Sequence, residues 1–210
     1  MPEPAQNFTC QKCGHDFTLP PATLAKFPGW VPKACLDCRK NAGETHAGAR
    51  EENLTSGQVL AKYSAGPQDG VFTDGGCVPN PGPGGWGTVY VVGGEIVAER
   101  HGHEPETTNN RMELTALMNA VELVPPGTPA VIYSDSELCV RTMNEWAAKW
   151  EAKGWKRKGD PIKNLDLVQV VYARLKGRPE LRLEWVKAHA GTRWNEYADS
   201  LATAWTREDK

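Results

Sequence analysis

Long hydrophobic stretches are absent from this chain. None of its apolar runs approaches the roughly 20 residues that a membrane-spanning helix needs, and its first residues lack the apolar core of a secretory signal. A dominant charge is absent as well, because 24 Lys and Arg face 26 Asp and Glu, for a formal net charge of −2. These absences predict a cytoplasmic protein without a membrane partner. Because the net charge is close to zero, the chain could bind a polyanion only through a local patch of positive charge.

Cysteine is scarce, but four of the six cysteines form two tight pairs near the start of the chain. Two thiolates three positions apart can reach one tetrahedral ion, and 21 residues separate the two pairs, close to the spacing of zinc sites. Two disulfides or four unrelated thiols are the alternatives, and a reducing compartment disfavours disulfides. The pattern predicts a structural Zn²⁺ held by Cys10, Cys13, Cys35 and Cys38.

The two cysteine pairs lie within residues 1–42, which are predicted to be a small zinc-ribbon-like module that depends on its ion to fold. This stretch holds five Lys or Arg and three acids, so that four thiolates and one Zn²⁺ leave it near neutral. We expect the module to stabilise the chain, to bind a protein partner or to touch nucleic acid through its aromatic residues. Cys77 and Cys139 lie outside the pattern and fit small core residues.

The order of predicted elements indicates the fold. Residues 43–69 are predicted to be a linker with a short helix that Ser56 caps. Beyond residue 70, β-branched and aromatic runs predict strands, which then alternate with helices. This order predicts an α/β fold with a mixed sheet flanked by helices. The predicted strands cover 70–74, 86–92, 95–103, 129–135 and 181–187, and the predicted helices cover 109–124, 136–146, 164–176 and a last one from about 194.

Four carboxylates stand where a metal site could form. Asp74 and Asp135 each end an apolar run. Glu113 lies one turn into a predicted helix, and Asp199 lies within the last helix. If the two strands lie side by side, their C-terminal ends bring Asp74 and Asp135 together. Clustered carboxylates without Cys or His suit hard cations such as Mg²⁺, and two such ions about 4 Å apart support in-line displacement at a phosphate.

Positive charge concentrates in residues 146–163, called the basic segment below, which hold six Lys or Arg and two acids. One interpretation is the charged face of a surface helix whose tryptophans pack onto the core. The other is a protrusion that grips nucleic acid, where cations displace counterions from phosphates. The interleaved aromatic and basic residues include Trp146, Lys149, Trp150, Lys153, Trp155 and Lys156.

Four ordered sequence blocks resemble the ribonuclease HI family. They are TDGGC with NPGPGGWG (73–87), TTNNRMEL (107–114), YSDS (133–136) and WVKAHAG with the residues after it (185–199). The resemblance covers residues 70–207 and implies a catalytic domain with an RNase H-like mixed five-stranded sheet. It also implies a monomeric endoribonuclease that cuts the RNA strand of RNA–DNA hybrids with two Mg²⁺ or Mn²⁺ ions, leaving 5′-phosphate and 3′-hydroxyl ends. The family's metal ligands correspond here to Asp74, Glu113, Asp135 and Asp199.

The resemblance further implies how a hybrid is held. Asn80, Asn109 and Asn110 match positions along the minor groove, where the 2′-hydroxyl marks the RNA strand. Thr108 and Asn164 match positions that hold a DNA phosphate. The basic segment is similar to the basic protrusion of bacterial ribonuclease HI, which favours its interpretation as a nucleic-acid grip.

Three further residues bear on catalysis and recognition. His189 matches a family position with an implied role in proton transfer or product release. Glu196 either serves the same release step or is a solvated helix carboxylate. Glu137 departs from the family, which often has Gln at this position, and its carboxylate would add negative charge near the phosphates.

Two other functions stay open at this point. A non-catalytic hybrid-binding protein would keep the fold without the chemistry, although all four carboxylates are present. A nuclease acting on DNA alone would share the sheet and the carboxylates. The asparagines of the minor-groove set and the basic segment speak against that second alternative.

Overall fold

The chain divides into two compact units, Met1–Glu52 and Asn53–Lys210. The computed structural model describes residues 6–10, 16–25, 31–33, 35 and 53–208. Among these residues, none of the helices combines the length and the apolar character that crossing a bilayer requires.

An antiparallel hairpin forms the core of the described part of the first unit. Strand β1 (Gln6–Thr9) pairs with strand β2 (Asp16–Leu19), and helix α1 (Pro21–Leu24) follows. Cys10 and Cys35 are both buried. The other two predicted zinc ligands, at positions 13 and 38, lie outside the described residues, so the predicted ligand set stays a prediction.

A five-stranded mixed sheet forms the centre of the second unit. Its strands are β3 (Gly70–Cys77), β4 (Gly82–Val92), β5 (Glu95–Thr107), β6 (Ala130–Ser134) and β7 (Leu181–Trp185). Their order is β5-β4-β3-β6-β7, with β3, β4 and β5 antiparallel and with β6 and β7 parallel to β3. The predicted mixed sheet is confirmed, although β4 and β5 are longer than predicted because the Gly- and Pro-rich stretch at 82–85 still pairs with neighbouring strands.

Helices flank this sheet. They are α2 (Ser56–Lys62), α3 (Asn109–Leu123), α4 (Glu137–Arg141), α5 (Ala147–Glu151), α6 (Leu165–Lys176), α7 (Arg193–Ala202) and α8 (Trp205–Glu208). The Ser136 side chain caps α4 by accepting a hydrogen bond from the Cys139 amide over 3.4 Å. The predicted helix 136–146 continues further than expected, because the π-helical stretch Thr142–Trp146 joins α4 to α5.

Strand alternation divides the apolar residues between the two faces of the sheet. Val71 belongs to a core cluster with residues of α3 and α6, whereas the adjacent Phe72 belongs to a second cluster with residues of α2 and α7. Both side chains are 0% exposed, and burying an apolar side chain of this kind contributes about 1.5–3 kcal/mol. Each face is thereby fixed to its own helical layer, and this fixes the register of the strands that carry the site.

The second unit begins before its own first strand, β3. Helix α2 is capped by Thr55, not by the predicted Ser56, through a capping box with Gln58. Its Val59 is 2% exposed and packs in the same cluster as Phe72. Within the predicted linker, the helix Ser56–Lys62 is therefore packed structure, because its apolar face lies against the sheet.

Candidate active site

The parallel pairing of β3 and β6 brings two of the predicted carboxylates together. The last residue pair between these strands is Thr73↔Ser134, so Asp74 and Asp135 follow directly and lie side by side. The backbone oxygen of Asp135 accepts a hydrogen bond from Trp185 Nε1 over 3.0 Å. Asp135 is thus held by the end of the neighbouring strand β7.

Two glycines allow helices to approach the sheet closely at this point. A Cβ on Gly75 would lie 2.3 Å from the backbone nitrogen of Glu113, and a Cβ on Gly87 would lie 2.4 Å from the carbonyl oxygen of Ala198. Any larger residue would force α3 or α7 away from the strands. The two glycines therefore allow Glu113, and Asp199 next to Ala198, to reach the strand carboxylates.

Three carboxylates converge at this edge. One oxygen each of Asp74, Glu113 and Asp135 lies within 4.8 Å of the others, and all three residues are half-buried. The Oε2 atom of Glu113 is buried and has no hydrogen-bond partner. Like charges at this distance repel each other strongly, and an unpaired buried oxygen is costly. A divalent cation with oxygen ligands would relieve both problems.

Burial and mutual repulsion perturb the acidity of these groups. Burial is the main cause that raises the pKa of Asp74 well above its ordinary value. The charges of Asp135, Glu113 and Asp199 raise that pKa further, and the Gly75 amide, which donates to Oδ1 over 2.7 Å, lowers it. The pKa of Glu113 is raised as well, first by burial and then by Asp135. The pocket is electrostatically unfavourable for its own charges until a cation balances them.

The fourth predicted carboxylate lies close to the other three. Asp199 is half-buried on α7, outside the set that meets within 4.8 Å. Its charge nevertheless raises the pKa of Asp74. The structure therefore brings together three of the four predicted ligands and places the fourth within electrostatic reach.

Asn195 is a site residue without a role predicted from the sequence. Its Nδ2 donates to Oδ2 of Asp135 over 3.3 Å, and the residue is only 2% exposed. Its Oδ1 is buried without a hydrogen-bond partner. Asn195 lies four residues before Asp199, and therefore on the same face of α7. This spacing of four residues was the sequence signal that could have placed Asn195 near Asp199.

His189 lies in the loop between β7 and α7, is exposed, and has a φ of 48°. Hydrogen bonds fix both ends of this loop. The Val186 amide donates to the Ser134 carbonyl over 3.0 Å, and the Gly191 amide donates to Oε1 of Glu196 over 3.2 Å. Glu196 is thus a loop anchor in this structure, which is a contact that the sequence did not indicate.

The predicted minor-groove residues meet at the start of α3. The Asn109 amide donates to Oδ1 of Asn80 over 3.4 Å, and Asn80, Asn109 and Asn110 are all exposed. Thr108 is the N-cap residue of α3 and is half-buried. The Sγ of Cys77 lies 3.0 Å from the Pro79 carbonyl oxygen, inside the turn that carries Asn80. A buried thiol therefore packs against the turn that presents this asparagine.

The basic segment combines packed tryptophans with exposed cations. The rings of Trp146 and Trp150 are 6.1 Å apart, and Trp155 meets Tyr172 of α6 edge-on at 6.0 Å. The residues Lys149, Lys153 and Lys156 are all exposed. Both interpretations of the segment agree with this packing, because the tryptophans contact other elements and the lysines face solvent.

A cavity of ≈ 700 Å³ lies where α3 and the basic segment meet. Asn110 lines it from α3, Trp146 and Trp150 line it from the basic segment, and Asn164 lines it from the start of α6. Asn164 adopts a left-handed conformation with a φ of 53°. Asn110, predicted to contact the RNA strand of a hybrid, and Asn164, predicted to contact the DNA strand, therefore line the same cavity.

Glu137, the residue that departs from the family pattern, is exposed and has a partner. Its Oε1 lies 3.8 Å from Nη1 of Arg141, one helical turn away. The cation partly balances the extra carboxylate at this position.

Residues 67–206 match the family model described as RNase H. This chain belongs to the ribonuclease H family. It is 46% identical over 138 residues to a ribonuclease H of Methylorubrum extorquens, a stretch that spans 66% of this chain and 60% of that relative. It is also 40% identical over 139 residues to a ribonuclease H of Hahella chejuensis, which covers 66% of this chain and 93% of that protein.

Solved structures agree with the family membership. The chain is similar to the crystal structure of LC9-RNase H1, described as a type 1 RNase H with the type 2 active-site motif, at 33% identity and a TM-score of 0.55. That match covers 70% of this chain and 76% of the other. LC11-RNase H1 from compost matches at 26% identity with a TM-score of 0.53, covering 68% of this chain and 99% of the other. Ribonucleases H use divalent metal ions, and the Asp74, Glu113 and Asp135 carboxylates fit such an ion.

Proposed function

We propose that this protein is an endonuclease that hydrolyses the RNA strand of RNA–DNA hybrids. The observation that carries the proposal is the convergence, within a ribonuclease H fold, of Asp74, Glu113 and Asp135 to within 4.8 Å. Carboxylates from three separate elements, one of them with an unpaired buried oxygen, form a set of oxygen ligands that suits a hard cation. The products expected are 5′-phosphate and 3′-hydroxyl ends.

The ligand set proposed for two Mg²⁺ or Mn²⁺ ions is Asp74, Glu113, Asp135 and Asp199. The bound ions would supply activation of a water and stabilisation of the departing 3′ oxygen. Asn195 would keep Asp135 in its orientation through the hydrogen bond to Oδ2. Because burial raises the pKa of Asp74 and of Glu113, protons compete with the ions for these ligands at a higher pH than they would at exposed carboxylates.

His189 is proposed to transfer a proton or to assist product release at this edge of the sheet. Its exposure and its loop between two anchored ends suit a group that contacts substrate briefly. Glu196 is proposed to act through the loop, since its carboxylate accepts from the Gly191 amide.

Two surfaces are proposed to hold the two strands of the hybrid. The exposed amides of Asn80, Asn109 and Asn110 would read the 2′-hydroxyls of the RNA strand from the minor groove. Thr108 and Asn164 would hold a DNA phosphate beside the ≈ 700 Å³ cavity. The basic segment would grip the DNA strand with Trp146, Lys149, Trp150, Lys153, Trp155 and Lys156.

The N-terminal module is proposed to hold one structural Zn²⁺ through Cys10, Cys13, Cys35 and Cys38, and to bind nucleic acid or a protein partner. The burial of Cys10, which directly follows β1, and of Cys35 supports this. Elemental analysis of the purified full chain should give one zinc per molecule, and Cys10→Ser should lower that content. An unchanged content would contradict the ligand set. A monomeric state and a cytoplasmic location stay predictions from the sequence.

A labelled-substrate assay tests the proposed activity. With Mg²⁺, the protein should cleave the RNA of a hybrid and leave single-stranded RNA and duplex DNA intact. Hybrid binding without cleavage in either Mg²⁺ or Mn²⁺ would identify a non-catalytic binder. Cleavage of duplex DNA without cleavage of the hybrid would identify a DNA nuclease. Either result would overturn the proposal.

A further inference from the structure

Residues 53–67, called the anchor segment here, lie almost wholly before the stretch that matches the ribonuclease H family at 67–206, yet they are part of the second compact unit. Helix α2 within this segment packs Val59 into the core cluster that contains Trp194 of α7. The anchor segment is therefore a packed addition to the family domain. Its contacts concentrate on the elements that carry His189 and Asp199.

The far end of the anchor segment pairs with the end of the His189 loop. The backbone at Ala65 forms a parallel bridge with Thr192, and the Arg193 amide donates to the Ala65 carbonyl over 2.8 Å. Thr192 is the N-cap residue of α7, and its side chain makes no capping hydrogen bond. The first turn of α7 thus obtains a backbone partner from the anchor segment instead.

Two further contacts press on the same point of the loop. Gly66 has a φ of 103°, and a Cβ on it would lie 2.4 Å from Cγ2 of Thr192. A Cβ on Gly191 would lie 3.9 Å from the ring of Tyr63. The anchor segment therefore packs against the loop end at Gly191 and Thr192, which begins two residues beyond His189.

The near end of the anchor segment contacts the part of α7 that carries Asp199. The Ser56 and Ser200 hydroxyl oxygens are 3.0 Å apart, so a hydrogen bond joins α2 to the neighbour of Asp199. Nδ2 of Asn53 donates to Oγ1 of Thr206 over 2.8 Å in the helix that follows α7. The segment thus contacts both ends of α7.

We propose that the anchor segment positions the His189 loop and α7 for catalysis, with Tyr63, Ala65 and Gly66 as positioning residues. None of these three residues touches the reacting atoms. They act through the loop end at Gly191 and Thr192, so that residues before the family domain determine how well His189 meets its substrate. This proposal rests on the proposed hydrolysis of RNA–DNA hybrids.

The variant Gly66→Ala tests this, because its new methyl group would displace Thr192. Hydrogen exchange of the Arg193 amide should become faster, since that amide donates to Ala65. The kcat for hybrid cleavage should fall roughly 10- to 100-fold, the size expected when a reacting group is misplaced by about 1 Å. KM should change little, because the hybrid grip lies elsewhere. Gly127→Ala is the matched control, since Gly127 also has a positive φ, of 78°, and a Cβ there meets nothing within 4 Å.

Two more variants separate positioning from a general loss of stability. Thr192→Ser removes the methyl group that Gly66→Ala would meet, so adding it to Gly66→Ala should restore part of kcat. Val124→Ala, at a buried site outside the anchor segment, should destabilise the unit while kcat of the folded enzyme stays near that of the wild type. Unchanged kcat in Gly66→Ala, or an equal loss of kcat in Val124→Ala, would overturn the proposal. A wild-type protein without cleavage would instead overturn the proposed function, and the Arg193 exchange rate would still test the contact.

Discussion

The carboxylate site and the basic segment are built in opposite ways. The site takes Asp74, Asp135 and Glu113 from two strands and a helix, and it works against its own charge repulsion. The basic segment is one continuous stretch, 146–163, whose cations are largely exposed. A site assembled from distant elements should fail when a single member changes. A surface made of several separate cations should lose affinity for nucleic acid in small steps, as one cation after another is replaced.

The largest effect is expected where a single metal ligand is removed. Asp74→Asn should lower hybrid cleavage by roughly 10²–10³-fold or more, as the loss of a group that stabilises transition-state charge does. In metal-free buffer the same variant should unfold at a higher temperature than the wild type, because one of the repelling carboxylates is gone. Adding Mg²⁺ should raise the wild-type melting temperature more than that of the variant. Asp69→Asn, at the other end of β3, is the control and should keep the wild-type cleavage rate and the wild-type rise in melting temperature with Mg²⁺.

The next largest effect is expected at Gly75, where α3 packs closely against β3. Gly75→Ala would place a methyl group 2.3 Å from the Glu113 nitrogen, and overpacking of this kind costs about 1–3 kcal/mol. Both the free energy of unfolding and the cleavage rate should fall, since Glu113 moves away from the strand carboxylates. Gly76→Ala is the matched control, because a Cβ there meets nothing within 4 Å. Equal behaviour of the two variants in denaturant titration and cleavage would contradict the role given to Gly75.

The basic segment should respond gradually. Replacing Lys149, Lys153 and Lys156 by Gln should weaken hybrid binding and reduce the slope of log K against log salt by roughly 0.7–0.9 for each phosphate that the protein no longer neutralises. The kcat at saturating hybrid should stay near the wild-type value. Arg182→Gln, which removes one cation from β7 outside the segment, is the control for each of the three lysines replaced singly. A wild-type salt slope in the triple variant would favour the interpretation of the segment as a solvated helix face.

The smallest effect concerns an ion pair between α3, which carries Glu113, and α6, which follows the basic segment. Arg111, two residues before Glu113, makes a two-point contact of 3.1 and 2.9 Å with Asp166 of α6. Its hydrogen bonds lower the pKa of Asp166, so the stabilisation is present at neutral pH and is lost as the pH falls below about 4. Asp166→Asn should cost about 0.2–1 kcal/mol at pH 7, because the pair is partly exposed. The cost measured by denaturant titration should shrink as the pH falls below about 4, and a cost that does not change with pH would contradict this assignment.

Particular residues show how far the sequence alone could lead. The strands at Asp74 and Asp135 were predictable, because each carboxylate ends an apolar run whose C-terminal end lies at a sheet edge. The helix at Glu113 and the cap at Ser136 were equally predictable from local pattern. The contact of Asn195 was not, because its spacing from Asp199 indicates only a shared helix face, whereas its hydrogen-bond partner Asp135 lies 60 positions away in the chain. The packing of α2 was missed for the same reason, since Val59 finds its neighbours only on the finished sheet.

The sequence by itself determined the elements, their order, the basic segment and the carboxylates available for metal binding. These follow from local chemistry: side-chain period, turn residues and charge. The tertiary structure decided which carboxylates meet, how closely α3 approaches through Gly75, and that residues 53–67 hold the His189 loop. Such features depend on distances between segments far apart in the chain, and packing sets those distances.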